Sequence, residues 1–215
     1  MAKLKNGILG PISGKINGYI TSTWRNVNYI KKASPPNNRP KSEAQIAQQE
    51  KFKFAQQLIK PMRLYFLNGF QHLAGENSEL NLAFSLNYKA IDGKFPDLSV
   101  DYNKVFISRG KLTPLQGLVM QQTAPQAIEL TWDYFYEEGL SLSFDDQVMV
   151  MIYCPDRNRT EGFTGAVNRE AGKCTVNFTK AMSRHRLEIF VGATARDRRD
   201  AANSLYAGSV LPAEL

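Results

Sequence analysis

Residues 127–134 read AIELTWDY, and this stretch decides the fold class. Its apolar side chains occupy alternate positions, with Glu129, Thr131 and Asp133 between them. A period of two residues is typical of a β-strand that buries one face and exposes the other to water. The stretch therefore predicts a half-buried strand in which Trp132 belongs to the core.

Six further candidate strands lie around this one, and turn-forming residues separate them. They span residues 100–108, 147–154, 163–167, 173–178, 186–193 and 204–211. Short strands that follow one another with turns between them are typical of an antiparallel β-sandwich. The second half of the chain is therefore predicted to be all β.

Upstream of residue 96 the period of the apolar residues is helical. A helix is predicted over residues 42–73, with Ser42 as its N-cap and Pro61 as the point where it kinks or restarts. A second helix is predicted over residues 78–91, with Ser78 as its N-cap. The first helix has one apolar face, which consists of Phe52, Ala55, Leu58, Ile59 and Met62.

The first 35 residues are rich in glycine and contain one candidate hairpin. Strands over residues 18–24 and 27–32 are predicted to meet at a tight turn of Arg25 and Asn26. A two-stranded hairpin is only marginally stable in water. It is therefore expected to dock on the rest of this chain or on another subunit. A proline-rich linker follows over residues 33–41.

Residues 112–211 resemble a fibronectin type III domain. The resemblance is carried by IELTW at 128–132, by the strands over 148–153 and 187–194, and by the closing SLYAGSV at 204–210. It implies a seven-strand sandwich without catalytic residues that serves as a spacer or an interaction surface.

The whole chain also resembles a bacterial family of unknown function. The shared features are the opening GILGPISGKING at 7–18, a turn at Trp24 and Arg25, a helix beginning over 42–45 and a sandwich at the end. This resemblance implies the architecture and brings no site residues.

The predicted fold class is α+β, with an N-terminal β-hairpin and helices followed by an antiparallel seven-strand fibronectin type III-like β-sandwich. Three regions are expected along the chain. They are a Gly-rich basic arm with the hairpin over 1–35, a linker and helical segment over 36–95, and the sandwich over 96–215.

The positive charge of the chain is concentrated in its first third. The net charge is +7, but residues 1–70 contain twelve basic and two acidic residues, and residues 71–215 contain fifteen basic and eighteen acidic residues. Such an asymmetry indicates an acidic partner for the front part, either nucleic acid or an acidic protein surface, including that of another copy.

The residue types that common enzymes use do not cluster in this sequence. His72 and His185 fall in different predicted regions, and each is expected to have a structural or solvated role. Cys154 and Cys174 lie on apolar faces of predicted strands, where free core thiols are expected, with a cross-strand disulfide as the alternative in an oxidising compartment. We therefore predict no catalytic residue, no metal site, no cofactor and no small-molecule substrate.

Two charged segments are predicted to lie in loops. Asp145 and Asp146 are expected to bound a turn, because a calcium or catalytic role needs further acids around them. The alternating charges of residues 196–200 are expected to compensate one another at the surface. Binding of a phosphate or a partner by the adjacent arginines is the alternative for this second segment.

The candidate binding surface lies in the N-terminal part, where basic and aromatic residues are interleaved. Its residues are Lys15, Tyr19, Trp24, Arg25, Tyr29, Lys31, Lys32 and Arg39. We predict that this arm joins the protein to further copies of itself or to another protein, as in a cellular filament or a phage-type particle. The alternative partner is single-stranded nucleic acid, since lysine side chains bind backbone phosphates and aromatic rings stack on bases. A monomer whose arm folds back on its own helices is the third interpretation.

The sequence shows no signal for export or membrane insertion. Residues 1–15 contain no apolar core of a signal peptide, and no run approaches the roughly 18 apolar residues of a membrane span. A cytoplasmic location without a membrane partner is expected, with an assembled particle as a further final location.

Overall fold

A computed structural model describes residues 3–4, 12–24, 27–35, 40–75, 77–134 and 144–212. The chain divides into two compact units, Met1–Ser42 and Glu43–Leu215. Each unit has its own sheets.

The first unit contains a four-stranded antiparallel sheet with the order β1-β2-β3-β4. Its strands are Lys3–Leu4 (β1), Ile12–Ile16 (β2), Tyr19–Trp24 (β3) and Val27–Lys32 (β4). The predicted hairpin is confirmed as β3 and β4, whose backbones pair from Tyr19 opposite Lys32 to Trp24 opposite Val27. The turn predicted at Arg25 and Asn26 lies outside the described residues. The sheet is larger than the hairpin because two earlier strands extend it.

A two-residue turn joins β2 to β3. Asn17 has a φ of 41° and Gly18 a φ of 80°, and Ile16 pairs with Tyr19 on either side of them. Positive φ at both central residues is the type I′ geometry, which matches the twist of a tight hairpin. Asn-Gly is the dipeptide that adopts this geometry most readily, so the turn itself was readable from the sequence.

The second unit begins with a layer of three helices, Glu43–Ile59 (α1), Arg63–Gly69 (α2) and Glu79–Asn87 (α3). The predicted interruption at Pro61 is confirmed, because a 3-10 turn at Lys60–Met62 separates α1 from α2. The predicted N-cap of α3 is also confirmed: the Ser78 Oγ accepts a hydrogen bond from the Asn81 N–H at 3.3 Å. None of the helices in the described part of the chain is long and apolar enough to cross a membrane.

The strand predicted over residues 100–108 is wrong. A hairpin of Ile91–Lys94 (β5) and Asp97–Val100 (β6) precedes it, and a 3-10 turn at Tyr102–Lys104 interrupts it. Side chains, and not a neighbouring strand, accept hydrogen bonds from the backbone N–H groups that follow this turn. The Phe106 N–H donates to the Asn87 Oδ1 at 2.8 Å, and the Ile107 N–H donates to the Ser204 Oγ at 2.9 Å.

Seven antiparallel strands in the described residues form the sandwich that the sequence predicts. A three-stranded sheet has the order β11-β8-β7, and a four-stranded sheet has the order β10-β9-β12-β13. The strands are Gln116–Ala124 (β7), Ala127–Asp133 (β8), Gln147–Cys154 (β9), Arg159–Asn168 (β10), Lys173–Asn177 (β11), Leu187–Thr194 (β12) and Leu205–Val210 (β13).

The sequence missed β7, which takes the place of the strand predicted over 100–108. Its residues are mostly exposed, and its register with β8 shifts between Gln116 and Val119 and again between Gln122 and Ala124. A bulged edge strand does not keep a strict two-residue period, so the periodicity that revealed β8 could not reveal its neighbour.

The four-stranded sheet is buried on both faces. Val148, Val150 and Ile152 of β9 contribute to the core between the two sheets. The intervening Met149 and Met151 contribute to a second core with the helices, in which Ala55, Leu58, Ile59, Met62 and Phe66 are also buried. Phe52, predicted on the same apolar face, is half exposed at the edge of this layer. The three-stranded sheet buries Ile128, Leu130 and Trp132 between the sheets, as predicted, and its outward side chains are mostly exposed.

Candidate interaction surface

The buried charges of the second unit have structural partners. Asp145 lies in a turn and Asp146 directly follows it, as predicted for this pair, but Asp146 is also buried, with its Oδ2 3.1 Å from the Nε of the buried Arg169. Burial lowers the pKa of the Arg169 guanidinium, and the carboxylate of Asp146 opposes that effect. Arg169 also donates to the Thr113 carbonyl at 2.7 Å, and its own carbonyl accepts from the Trp132 Nε1 at 2.7 Å. The Asp146–Arg169 pair therefore connects the segments that contain Asp146, Thr113 and Arg169 to the core tryptophan, Trp132.

A second buried carboxylate, Glu188 on β12, has two partners. The Arg186 Nε lies 2.7 Å from its Oε1, and the Tyr206 hydroxyl donates to its other oxygen. Burial, followed by the hydrogen bond to Glu188, raises the pKa of Tyr206 to about 12. Strand periodicity does not reveal this group, because Glu188 lies at an outward position of a strand whose outer face is covered.

Each histidine lies beside a carboxylate. His72 lies with its Nε2 3.6 Å from Asp200, and the Nδ1 of His185 lies 3.0 Å from Asp156. Cys154 and Cys174 are buried free thiols, and burial raises the pKa of both, that of Cys174 to about 11. No group of three or more metal-ligating side chains is present in the described ranges.

Two shallow grooves lie in the helical layer of the second unit. One, of about 680 Å³, lies between the first half of α1 and the β5–β6 hairpin and is lined by Ile46, Phe95 and Leu98. The other, of about 560 Å³, lies between α1 and α3, with Phe52 and Phe84 in its floor. Neither is lined by a histidine or a cysteine, and Glu43 is the one acid that lines either groove.

The N-terminal sheet carries the predicted binding residues on two opposite faces. Lys15 pairs with Ile20, which pairs with Lys31, so these three side chains share one face, on which Tyr29 also lies. We call this the Lys15 face. Tyr19 and Lys32 pair with each other and lie on the opposite face, and both are exposed. The structure therefore places Lys15, Tyr29 and Lys31 on the same face. It places Tyr19 and Lys32 on the opposite face.

Three of the eight predicted residues cannot be placed on a face. The backbone of Trp24 ends β3, but its side chain is outside the described part of the structure. Arg25 and Arg39 lie outside the described residues altogether.

Both faces of this sheet expose apolar side chains. Val27 is 63% exposed on the Lys15 face, and Ile30 is 70% exposed on the opposite one, where Ile16 and Tyr19 are exposed as well. Among the described residues up to Ser42, Thr21 alone is buried, and its hydroxyl donates to the Gly14 carbonyl at 3.1 Å. A sheet is ordinarily stabilised by burying one face against another layer. Within its own unit this sheet has no such layer among the described residues.

The charge of this unit is of one sign. The first 42 residues contain eight basic residues and no acidic residue, so all 20 acidic residues of the chain belong to the second unit. This unit therefore combines a concentration of positive charge with exposed apolar side chains.

Two of the solved structures that resemble the chain at low similarity are described as fn3 domains. The domain of the human collagen alpha-1(XX) chain has a TM-score of 0.36 at 9% identity and covers 48% of this chain and 89% of that one. The domain of human contactin 1 has a TM-score of 0.30 at 9% identity, with 50% and 88% covered. A structure described as titin kinase and its flanking domains has a TM-score of 0.30 at 15% identity and covers 45% of this chain and 16% of that one.

No curated protein matches the sequence. Residues 11–208 match one family, which is described as "Family of unknown function (DUF6266)". The match takes in β2–β4, the helices and nearly all of the sandwich, as the resemblance of the opening glycine-rich segment implied. The chain therefore belongs to the DUF6266 family.

Proposed function

We propose that this protein is a non-enzymatic structural protein that self-associates, or docks on a protein partner, through its N-terminal sheet. The observation that carries the proposal is the exposure of apolar side chains such as Val27 and Ile30 on the two faces of that sheet. Covering these faces removes apolar surface from water, at roughly 25 cal/mol per Å². Association with a second surface therefore provides the stabilisation that the unit lacks by itself.

An unprotected sheet edge supports the same proposal. All six residues of β4 are exposed, and the strand contains no proline to prevent pairing on its free side. Natural edge strands usually carry features that block such pairing, among them charges and prolines. β4 has its two charges, Lys31 and Lys32, at one end, which leaves Val27–Ile30 available for strand addition.

The features of the second unit support a structural role rather than a catalytic one. Its buried ionisable groups pair with one another in the interior, as Asp146 does with Arg169. Its central sheet is covered on both faces by its own helices and its own second sheet. These features hold the fold together and leave the N-terminal unit as the adaptable element.

Deleting residues 2–34 and measuring molar mass by light scattering tests the proposal. At tens of micromolar we expect the intact chain to form species larger than one chain and the truncated chain to be monomeric. Electron micrographs of the intact protein would then distinguish a filament from a closed particle. If intact and truncated chains are both monomeric, the assembly function is wrong.

A matched pair of substitutions gives a sharper version of this test. Val27→Ser removes an exposed apolar side chain from the Lys15 face of the sheet, whereas Leu64→Ser removes one of similar exposure from α2 (63% and 59% exposed, respectively). We expect Val27→Ser to weaken association and Leu64→Ser to leave it unchanged. Equal effects of the two would contradict a specific role for the sheet.

Binding of single-stranded nucleic acid is the second candidate function. The favouring observation is that the Lys15 face places Lys15 and Lys31 on the same side as the aromatic Tyr29. We expect the affinity for a single-stranded oligonucleotide to fall with salt, by about 0.7 in log K per log salt for each phosphate contact. Replacing Lys31, Lys32 and Arg39 together by Glu should abolish that dependence. A flat plot for the unmodified protein would exclude phosphate contacts.

A further inference from the structure

The charge of the N-terminal unit determines what kind of surface can cover it. With eight basic residues and no acidic one, two such units facing each other would place like charges in contact. Like charges across an interface cost several kcal/mol. If the proposed self-association holds, the surface that receives the N-terminal sheet therefore belongs to the second unit of another copy. The contact is then heterologous, between two different surfaces.

The Lys15 face has an apolar centre between two positive charges. Lys15, Ile20 and Lys31 lie side by side on β2, β3 and β4. Adjacent strands are about 4.8 Å apart, so the two lysines are based about 10 Å from each other on either side of Ile20. Neither lysine makes an ion pair with another described residue.

The outer face of the three-stranded sheet in the second unit has the reverse pattern. Glu129, Thr131 and Asp133 point outward along β8, because the residues between them are buried in the sandwich. Two acids four residues apart on a strand are separated by about 13 Å. Between them Thr131 pairs with Val119 of β7, which is 60% exposed. We call this the Glu129 face.

The two acids of the Glu129 face are available to an incoming cation. Neither makes an ion pair with another described residue, whereas Asp92 and Asp101 near the β5–β6 hairpin both bind Lys104. A basic residue near these acids is Lys173 on β11, which pairs with Thr131 from the side opposite Val119. Its charge favours an approach of the lysines on the Val119 side of β8.

We infer that the Lys15 face of one copy binds the Glu129 face of a second copy, with Lys15 and Lys31 beside Glu129 and Asp133 and Ile20 against Val119. The lysine pair runs across its strands and the acid pair runs along β8, so the strands of the two sheets cross near a right angle. The spacings of about 10 Å and about 13 Å agree within the reach of a lysine side chain. The pair keeps one unused face of each kind, the Glu129 face of the first copy and the Lys15 face of the second, which permits growth into a ring or a filament.

Charge reversal of the acids in the full-length chain tests this contact. We expect Glu129→Lys with Asp133→Lys to weaken self-association at least about tenfold by light scattering or sedimentation. The matched control, Glu43→Lys with Asp97→Lys, makes the same change of net charge at exposed acids elsewhere and should assemble like the unmodified chain. Thermal unfolding of each variant checks that the sandwich is intact.

A charge swap distinguishes a direct contact from a general charge effect. Lys15→Glu with Lys31→Glu should weaken association as much as the acid reversal does, and its control, Lys89→Glu with Lys180→Glu, should not. Combining the two reversals in one chain should restore the affinity to within about threefold. Mixing the two separate double variants, each unassembled by itself, should restore assembly with alternating chains, because the native faces of the two variants complement each other and the two reversed faces do so as well.

The outcomes separate this inference from the proposed function on which it rests. If removal of residues 2–34 abolishes assembly but the Glu129 and Asp133 reversal does not, the N-terminal sheet is used and this acceptor is wrong. The same conclusion follows if the combined variant remains unassembled while both controls assemble. If the unmodified chain is monomeric throughout, the proposed function itself is wrong.

Discussion

At the scale of single residues, the interior of the second unit depends on polar groups whose partners are distant in sequence. Arg169 connects Asp146, Thr113 and, through its carbonyl, Trp132. An ion pair taken out of water is costly to form, but it is more costly to break by removing one partner. Such residues decide stability while leaving no periodic signal in the sequence.

Arg169→Ala is expected to lower the free energy of unfolding by about 3–5 kcal/mol, because the buried Asp146 then loses its counter-charge. Urea denaturation measures the effect. Arg199→Ala, which removes an exposed guanidinium, is the control and should change stability by less than about 0.5 kcal/mol. Replacing Asp146 and Arg169 together should cost less than the sum of the single changes. A cost below about 1 kcal/mol for Arg169→Ala would contradict the role of this pair.

The buried thiol of Cys174 is expected to make stability fall at alkaline pH. Burial, with a smaller contribution from Glu129, raises its pKa from 9.0 to about 11 in the folded protein. Between these two values the unfolded chain releases the proton and the folded chain keeps it, so deprotonation favours unfolding. Its stabilising contribution is complete below pH 9 and lost as the pH rises towards 11.

Denaturation of the unmodified chain and of Cys174→Val across this pH range isolates the effect. The tyrosines titrate in both proteins, so the difference between the two pH profiles belongs to Cys174. We expect a steeper decline for the unmodified chain, and parallel profiles would show that the thiol does not contribute.

At the scale of secondary-structure elements, whether a segment forms a strand depends on turns, bulges and hydrogen-bond partners. β2 exists because the Asn17-Gly18 turn reverses the chain, although its residues ISGKI contain only two apolar side chains. Residues 105–108 have apolar character but no partner strand, since Asn87 and Ser204 occupy their backbone groups. Apolar content alone therefore misplaces both segments.

Gly18→Ala should loosen the β2–β3 hairpin through backbone conformation alone. Gly18 has a φ of 80°, and a Cβ there would meet no atom within 4 Å, so the cost is that of holding alanine in the left-handed region. That cost is about 1–2 kcal/mol. It corresponds to a fall of about 5–30-fold in the protection of the hairpin amides against hydrogen exchange. Gly75→Ala, also in open space but without a positive φ, is the control. Equal protection in the two variants would contradict the turn assignment.

At the scale of the whole molecule, burial is divided unequally between the two units. The buried apolar residues of the described chain run from Ala55 to Val210 and all belong to the second unit. The basic charge excess belongs to the first. Stability and the candidate interaction are therefore assigned to different units.

A chain of residues 43–215 is expected to unfold with a free energy within about 0.5 kcal/mol of that of the intact protein, because it keeps every apolar side chain known to be buried. Calorimetry or denaturant titration below the association threshold measures this. Loss of several kcal/mol would show that the first 42 residues contribute to the core, and the unequal division of burial would be wrong.

The sequence by itself determined the features that depend on neighbouring residues. The alternation of AIELTWDY placed β8 and its core tryptophan, helical spacing and Pro61 placed α1 and α2, and the charge count identified the basic N-terminal part. The same local signals led to the fibronectin type III-like sandwich. They also selected Lys15, Tyr29 and Lys31, which the sheet does place on one face.

Only the tertiary structure decided the features that depend on contacts between distant residues. The two-residue period cannot reveal a bulged edge strand such as β7, and helical or strand spacing cannot show that Asp146 and Glu188 are buried, because their partners come from other elements. The placement of Lys15 and Tyr19 on opposite faces likewise follows from the register between β2 and β3. Register is set by pairing across the sheet, which a linear pattern does not contain.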